Sequence, residues 1–167
     1  LSLFHVPTRD LESFLLEFDA IYVGGGNTRN MLVLWREWEI DRHLRAAWEK
    51  GVVLGGVSAG AICWFEQGST DSWPNELNPL DAMGFLPGSL CPHYIDEPER
   101  RATYHAMVKE GRIRPGIALT DHAGAEFEGT ELKRILVSHP GAAGFRVERN
   151  AAGEVIETPL PVEILNP

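Results

Sequence analysis

The run Val52-Val53-Leu54-Gly55-Gly56-Val57-Ser58-Ala59-Gly60-Ala61 constrains this chain more than any other segment. An uncharged strand ends in Gly-x-Ser-x-Gly and a helical pattern begins at once, which is the form of a nucleophile elbow. The sharp strand-to-helix turn lifts the Ser58 hydroxyl above the end of the sheet. The flanking glycines remove Cβ atoms that would strike neighbouring backbone. Amides at the head of the helix then point to where an oxyanion would develop. A cluster of small residues could also serve only to let a helix pack close to a strand; the strand-turn-helix context favours the elbow.

The surrounding pattern agrees with that context. Leu1 to Val6 reads as a short strand, and Thr8 or Asp10 can cap a helix with Leu11, Phe14, Leu15 and Phe18 on one face. Ala20 to Val23 is an apolar strand that runs into Gly24-Gly25-Gly26-Asn27, with a helical pattern from Thr28. A second helix, from about Glu39 to Lys50, spaces Ile40, Leu44 and Ala47 on one side and stops at Gly51. Apolar strands alternating with amphipathic helices predict an α/β fold with a mostly parallel sheet covered on both faces. Past Ser58 we expect a helix over about 59–65, a polar, proline-containing loop over 68–79, a strand near Leu90 and a helix over roughly 97–110. A strand over 116–120 should follow, and then an antiparallel C-terminal extension with strands near 125–128, 134–137 and 145–149. With 167 residues and neither an internal repeat nor a linker, the chain reads as a single domain.

Fifteen Lys and Arg against 24 Asp and Glu give a net charge of −9. That balance argues against nucleic acid and anionic membranes, both of which require a basic surface. No apolar run approaches a membrane span, and the N-terminus lacks the basic region of a signal peptide, so a cytoplasmic protein is expected. Cys63 and Cys91 are too few for a disulfide scaffold and form no paired metal-ligand spacing with the six histidines, so both read as reduced thiols; the serine-hydrolase chemistry of such an elbow implies neither a metal nor an organic cofactor.

A serine hydroxyl needs a base within hydrogen-bond reach, itself oriented by a third group. His43 and His105 lie in amphipathic helices among charged residues, and His5 and His139 stand in unremarkable surroundings. His93 follows a short strand in Cys91-Pro92-His93-Tyr94, and His122 follows Asp121 at a strand end. One arrangement, in the chain order of the α/β-hydrolases, takes Asp71 or Asp81 as the acid. Another places Ser58, His93 and Asp121 at three strand ends along the carboxyl edge where open α/β sheets keep their sites, and it explains why each residue falls just past an apolar strand. The Gly24–Gly26 turn lacks the dinucleotide and P-loop patterns, but beside the nucleophile strand it could offer an amide to an oxyanion, with a second from Ala59; a plain tight turn is the other reading.

The motifs VGGGNT, GVSAGA, CPHY and LTD, in this order, resemble the peptidase E (aspartyl dipeptidase) family of serine peptidases. That family is related to cyanophycinase and has a class I glutamine-amidotransferase-like, flavodoxin-like fold. The resemblance covers nearly the whole chain and implies Ser58 as nucleophile, His93 as general base, and the amides of Gly26 and Ala59 as the oxyanion hole. Asp121 stands where the family has a Glu, which implies that it orients the base. Asp71 falls near another acidic position of the family, and Arg100 or Arg101 could hold a substrate carboxylate, with a salt-bridged helix start as the ordinary alternative. Asn27, Asp71, Arg100 and Arg101 are therefore the candidates for substrate binding. The implied activity is hydrolysis of small peptides, Asp-Xaa dipeptides among them, with a small peptide as partner and a homodimer as a compatible assembly. A non-catalytic binding module that keeps the elbow, or an esterase, are the alternatives. The resemblance also implies that family members carry a strand-helix-strand segment before the position of Leu1, so that one sheet edge would be unpaired or covered by a partner chain.

Overall fold

The computed structural model describes residues 1, 3, 8–74 and 76–165. The strand expected over Leu1 to Val6, with His5, falls largely outside the described residues. The chain divides into two compact units, 1–61 and 62–167.

In the first unit, helix α1 (Leu11–Leu15) is capped by Asp10, whose carboxylate accepts from Ser13 N at 3.0 Å. Strand β1 (Ala20–Val23) leads through the glycine turn into α2 (Thr28–Glu37), and α3 (Ile40–Glu49) leads into β2 (Val53–Gly56). The two strands pair in parallel, Ala20 opposite Val53 through Val23 opposite Gly56. Leu11, Leu15, Leu32, Ile40, Leu44 and Ala47 are buried. The spacing read from the sequence thus marks the inward faces at Leu11, Leu15, Ile40, Leu44 and Ala47, but α1 ends at Leu15 and leaves Phe18, expected on the same face, beyond the helix and exposed.

Helix α4 (Ala59–Ile62) is shorter than expected, because Phe65 already belongs to the next strand. The second unit is built on a six-stranded sheet in the order β10-β9-β6-β5-β3-β4. Its strands are β3 (Phe65–Trp73), β4 (Glu76–Asp81), β5 (Leu86–Cys91), β6 (Gly116–Leu119), β9 (Gly144–Arg149) and β10 (Val155–Pro159), with α5 (Arg100–Glu110) as the crossover between β5 and β6. The central pairs β3–β5 and β5–β6 are parallel, and the outer pairs are antiparallel. A separate sheet joins β7 (Ala123–Glu128), β8 (Glu131–Val137) and β11 (Val162–Ile164). Cys91, Tyr94, Tyr104, Met107, Val108, Ile113, Ala118 and Val147 form the core of this unit.

The stretch expected as a polar loop over 68–79 is instead the β3–β4 hairpin, with Ser69 opposite Pro79 and Thr70 opposite Asn78. Small hydroxyl side chains, Ser69 and Thr70, occupy its buried positions, so no apolar alternation announces the strand. Pro79 lies on an edge strand, where a missing N–H costs no ladder bond. Strands β10 and β11, absent from the expectation, are also edges and largely exposed. Strand β11 further pairs with β8 in parallel, where only antiparallel neighbours were expected.

Candidate active site

The candidate residues divide between the two units, and each group has its own construction. In the first, Ser58 follows β2 with a backbone φ of +53°, a region that residues with a Cβ seldom occupy. Val57 N donates to Val23 O at 3.1 Å, which extends the β1–β2 ladder to the residue before the serine. Gly60 N and Ala61 N donate to Val57 O and Ser58 O, both at 2.9 Å, and wind the chain into α4. A Cβ on Gly56 would lie 2.7 Å from Val23 O and nearer still to Gly60 O; one on Gly60 would lie 2.8 Å from Gly24 O and nearer to Val23 O. Both glycines of the motif are therefore demanded by backbone packed on backbone. A Cβ on Gly25 would meet the Ser58 Cβ at 3.4 Å and its Oγ at 4.0 Å, so the 24–26 turn passes directly beside the serine side chain. Gly26 has a φ of +142°, and the Ala59 amide follows Ser58 at the head of α4. Asn27 caps α2 with its side-chain oxygen, accepting from Asn30 N at 2.9 Å.

In the second unit, β5 and β6 run parallel side by side, with Cys91 opposite Ala118, and deliver His93 and Asp121 just past their ends. His93 Nδ1 lies 2.6 Å from Asp121 Oδ1. A carboxylate on Nδ1 fixes the tautomer that presents Nε2 as the basic nitrogen on the other side of the ring. The side chains are 25% and 49% exposed, so the pair is partly open to solvent. His93 and His122 both have positive φ, at +54° and +65°. Tyr94 N donates to Leu119 O at 3.0 Å, and Asp121 N donates to Asp96 Oδ2 at 2.8 Å. Asp71, the other acid considered, lies 3.6 Å from Arg100, and Asp81 accepts from Gln67 at 2.8 Å.

Arg100 is buried, its guanidinium held by Glu97, with the Nε–Oε2 distance 2.7 Å, and close to Asp71. Arg101 makes a bidentate pair with Glu157 of β10, at 2.9 and 2.8 Å. Glu157 also accepts from the Tyr94 hydroxyl and lies 3.1 Å from His105 Nε2, which itself lies 2.6 Å from that hydroxyl. Burial and the carboxylate beside it push the Tyr94 hydroxyl well above the usual range. Burial works to raise Glu157, but the hydrogen bonds from Arg101 and Tyr94 outweigh it and hold the carboxyl below its ordinary value. Sequence reading missed Asp96 and this four-residue network. The only local signal was the position of Tyr94 next to His93; Glu157 is 63 residues away.

Burial pushes the Cys91 thiol up to about 12 and raises Cys63 as well, so neither competes as a nucleophile at neutral pH. Among the described residues no group of three or more His, Cys, Asp or Glu is placed to hold a metal ion, and no helix is long and apolar enough to cross a membrane.

A serine on a strained strand-to-helix turn, with a carboxylate-bound histidine past another strand, is the equipment of an α/β enzyme of the serine-hydrolase class. The chain belongs to peptidase family S51, whose family model matches residues 1–135. It is 51% identical over 165 residues to a Bacillus subtilis (strain 168) protein named uncharacterized peptidase YgaJ, covering 99% of this chain and 71% of that protein. A Drosophila melanogaster protein named probable alpha-aspartyl dipeptidase is 30% identical over 112 residues, 65% of this chain and 46% of its own length. The cyanophycinase of Synechococcus elongatus is 26% identical over 124 residues, and this chain spans 38% of it. A solved structure from Listeria monocytogenes EGD-e, provisionally called a peptidase E protein, superimposes with a TM-score of 0.55 at 22% identity, over 96% of this chain and 69% of that one. That likeness establishes the α/β fold alone.

Proposed function

We propose that this chain is the catalytic domain of a serine dipeptidase that hydrolyses small peptides, Asp-Xaa dipeptides among them. Ser58 Oγ attacks the scissile carbonyl and His93 Nε2 takes its proton. The tetrahedral oxyanion accepts hydrogen bonds from the amides of Gly26 and Ala59. His93 then gives the proton to the leaving amine, and water repeats the sequence on the acyl-enzyme. Asp121 holds the imidazole in the tautomer that leaves Nε2 basic and stabilises the imidazolium formed in each half. The reading is carried by the Ser58 backbone: a non-glycine residue at φ +53°, in a cradle that only glycines can form, is strain maintained at one hydroxyl. The aspartyl preference is supported by the name of the Drosophila relative.

Labelling with a fluorophosphonate probe tests the mechanism, because reaction requires an activated hydroxyl. The intact chain should label at Ser58 and cleave Asp-Xaa dipeptides. Ser58→Ala should do neither while unfolding at the same temperature. Cleavage at the wild-type rate by Ser58→Ala would overturn the assignment.

A further inference from the structure

We propose that Asp96 is a positioning residue that holds Asp121 where it can orient His93; this rests on the reading of His93 as the general base. Both side chains stand past the ends of their strands, partly in solvent, joined by one bond between Nδ1 and Oδ1. An aspartate has two side-chain torsions and little reach, so its carboxylate is placed only as well as its own backbone. That backbone lies in the turn after β6, between Thr120 and a His122 of positive φ, a conformation that persists where surrounding structure over-determines it.

Two bonds tie this turn to the one after β5, and a third closes the latter on itself. Tyr94 N donates to Leu119 O at 3.0 Å, which continues the sheet between the two strand ends. Glu97 N donates to His93 O at 3.2 Å and closes the 93–97 turn on itself. Asp96, inside that turn, then accepts from Asp121 N at 2.8 Å. The result is a ring: His93 to Asp121 through the side chains, Asp121 to Asp96 through the amide, and Asp96 back to His93 along the closed turn. An amide bonded to an ionised carboxylate is a charge-assisted contact, stronger than a neutral one. It acts on the main chain of the residue whose carboxylate needs to be fixed. Its bond is to the Asp121 amide, so its effect on the imidazole passes through Asp121.

Asp96→Ala and Asp96→Asn separate this role from a simple contribution of negative charge, since Asn keeps an acceptor oxygen and loses the charge. For Asp96→Ala we expect kcat on an Asp-Xaa dipeptide to fall by about 10- to 100-fold with KM little changed, the scale of a small misplacement of a catalytic group. The low-field proton signal of the His93 Nδ1–H should broaden or vanish. Asp96→Asn should keep the signal and most of the rate. An unchanged signal and kcat in Asp96→Ala, or an Asp96→Asn as impaired as Asp96→Ala, would overturn the proposal. The proton signal does not depend on turnover. If the wild-type chain neither labels with fluorophosphonate nor cleaves peptides, the reading of the site fails, while the signal in the two variants still decides whether Asp96 positions the pair.

Discussion

The serine and the histidine are held by opposite means. Around Ser58 the constraint is steric: three backbone segments meet so closely that Gly56 and Gly60 leave no room for a methyl group. Around His93 it is a set of hydrogen bonds from side chains, those of Asp121, Asp96 and the Tyr94 anchor, to groups brought from elsewhere in the chain. Steric constraint is indifferent to pH and intolerant of any added atom. A hydrogen-bonded constraint leaves room for small changes of shape but weakens when a charged partner is neutralised. The sharpest way to break the comparison is therefore Gly60→Ala. Its methyl would be driven into the Val23 and Gly24 carbonyls, neither of which is a flexible side-chain end that can swing away. We expect a loss of about 3 kcal/mol, the upper range for overpacking, read by urea denaturation. A Gly60→Ala chain as stable as the wild type would show that the elbow is not held by close packing.

Glu157 supplies the corresponding test in the second unit. Its largely buried carboxylate binds Arg101, Tyr94 and His105 together, and so anchors the residue after His93. Glu157→Gln keeps the shape but weakens the charge-assisted bonds, for an expected cost of about 2 kcal/mol at pH 7. The sign with pH follows from the depressed carboxyl. A group whose folded pKa lies below its unfolded value near 4.5 stabilises fully above that value, and the contribution is lost as pH falls through the folded pKa. The stability gap between wild type and Glu157→Gln should hold from pH 7 to about 5 and close below 4.5, measured by urea denaturation across that range. A gap that widens on acidification would mean the carboxylate is not the stabilising form.

The same contrast explains what was legible in the sequence. The elbow is a local device: strand, glycines, serine and helix are consecutive, and the steric reason for each glycine lies within a few residues or in the neighbouring strand end. His93 and Asp121 could be placed at strand ends because apolar runs precede both. That the bond to the imidazole comes from Asp121, with Asp71 turned to Arg100, depends on how β3, β5 and β6 pair, which no short-range pattern encodes. Asp96 and Glu157 act across 25 and 63 residues and carry no motif. Of the strands that were missed, β4, β10 and β11 lie at sheet edges, while β3 is internal but buries Ser69 and Thr70 in place of an apolar run. An edge strand can be polar, contain proline and remain exposed, and so lacks the apolar run that marks a central strand.

The smallest effect sharpens the comparison from inside the first unit, where one side chain does take part. Asn27 ends the glycine turn and caps α2 by accepting from Asn30 N. Losing that acceptor leaves an amide of the first helical turn unpaired, so Asn27→Ala should cost about 1 kcal/mol by thermal unfolding, and Asn27→Ser should recover most of it because a serine hydroxyl caps nearly as well. Activity then separates the cap from the substrate contact considered for Asn27. If the residue only fixes the turn that runs beside Ser58, Asn27→Ser restores both stability and turnover. If its amide also meets the peptide, Asn27→Ser restores stability while KM stays raised, because the hydroxyl that satisfies the helix is too short to replace a carboxamide reaching the substrate.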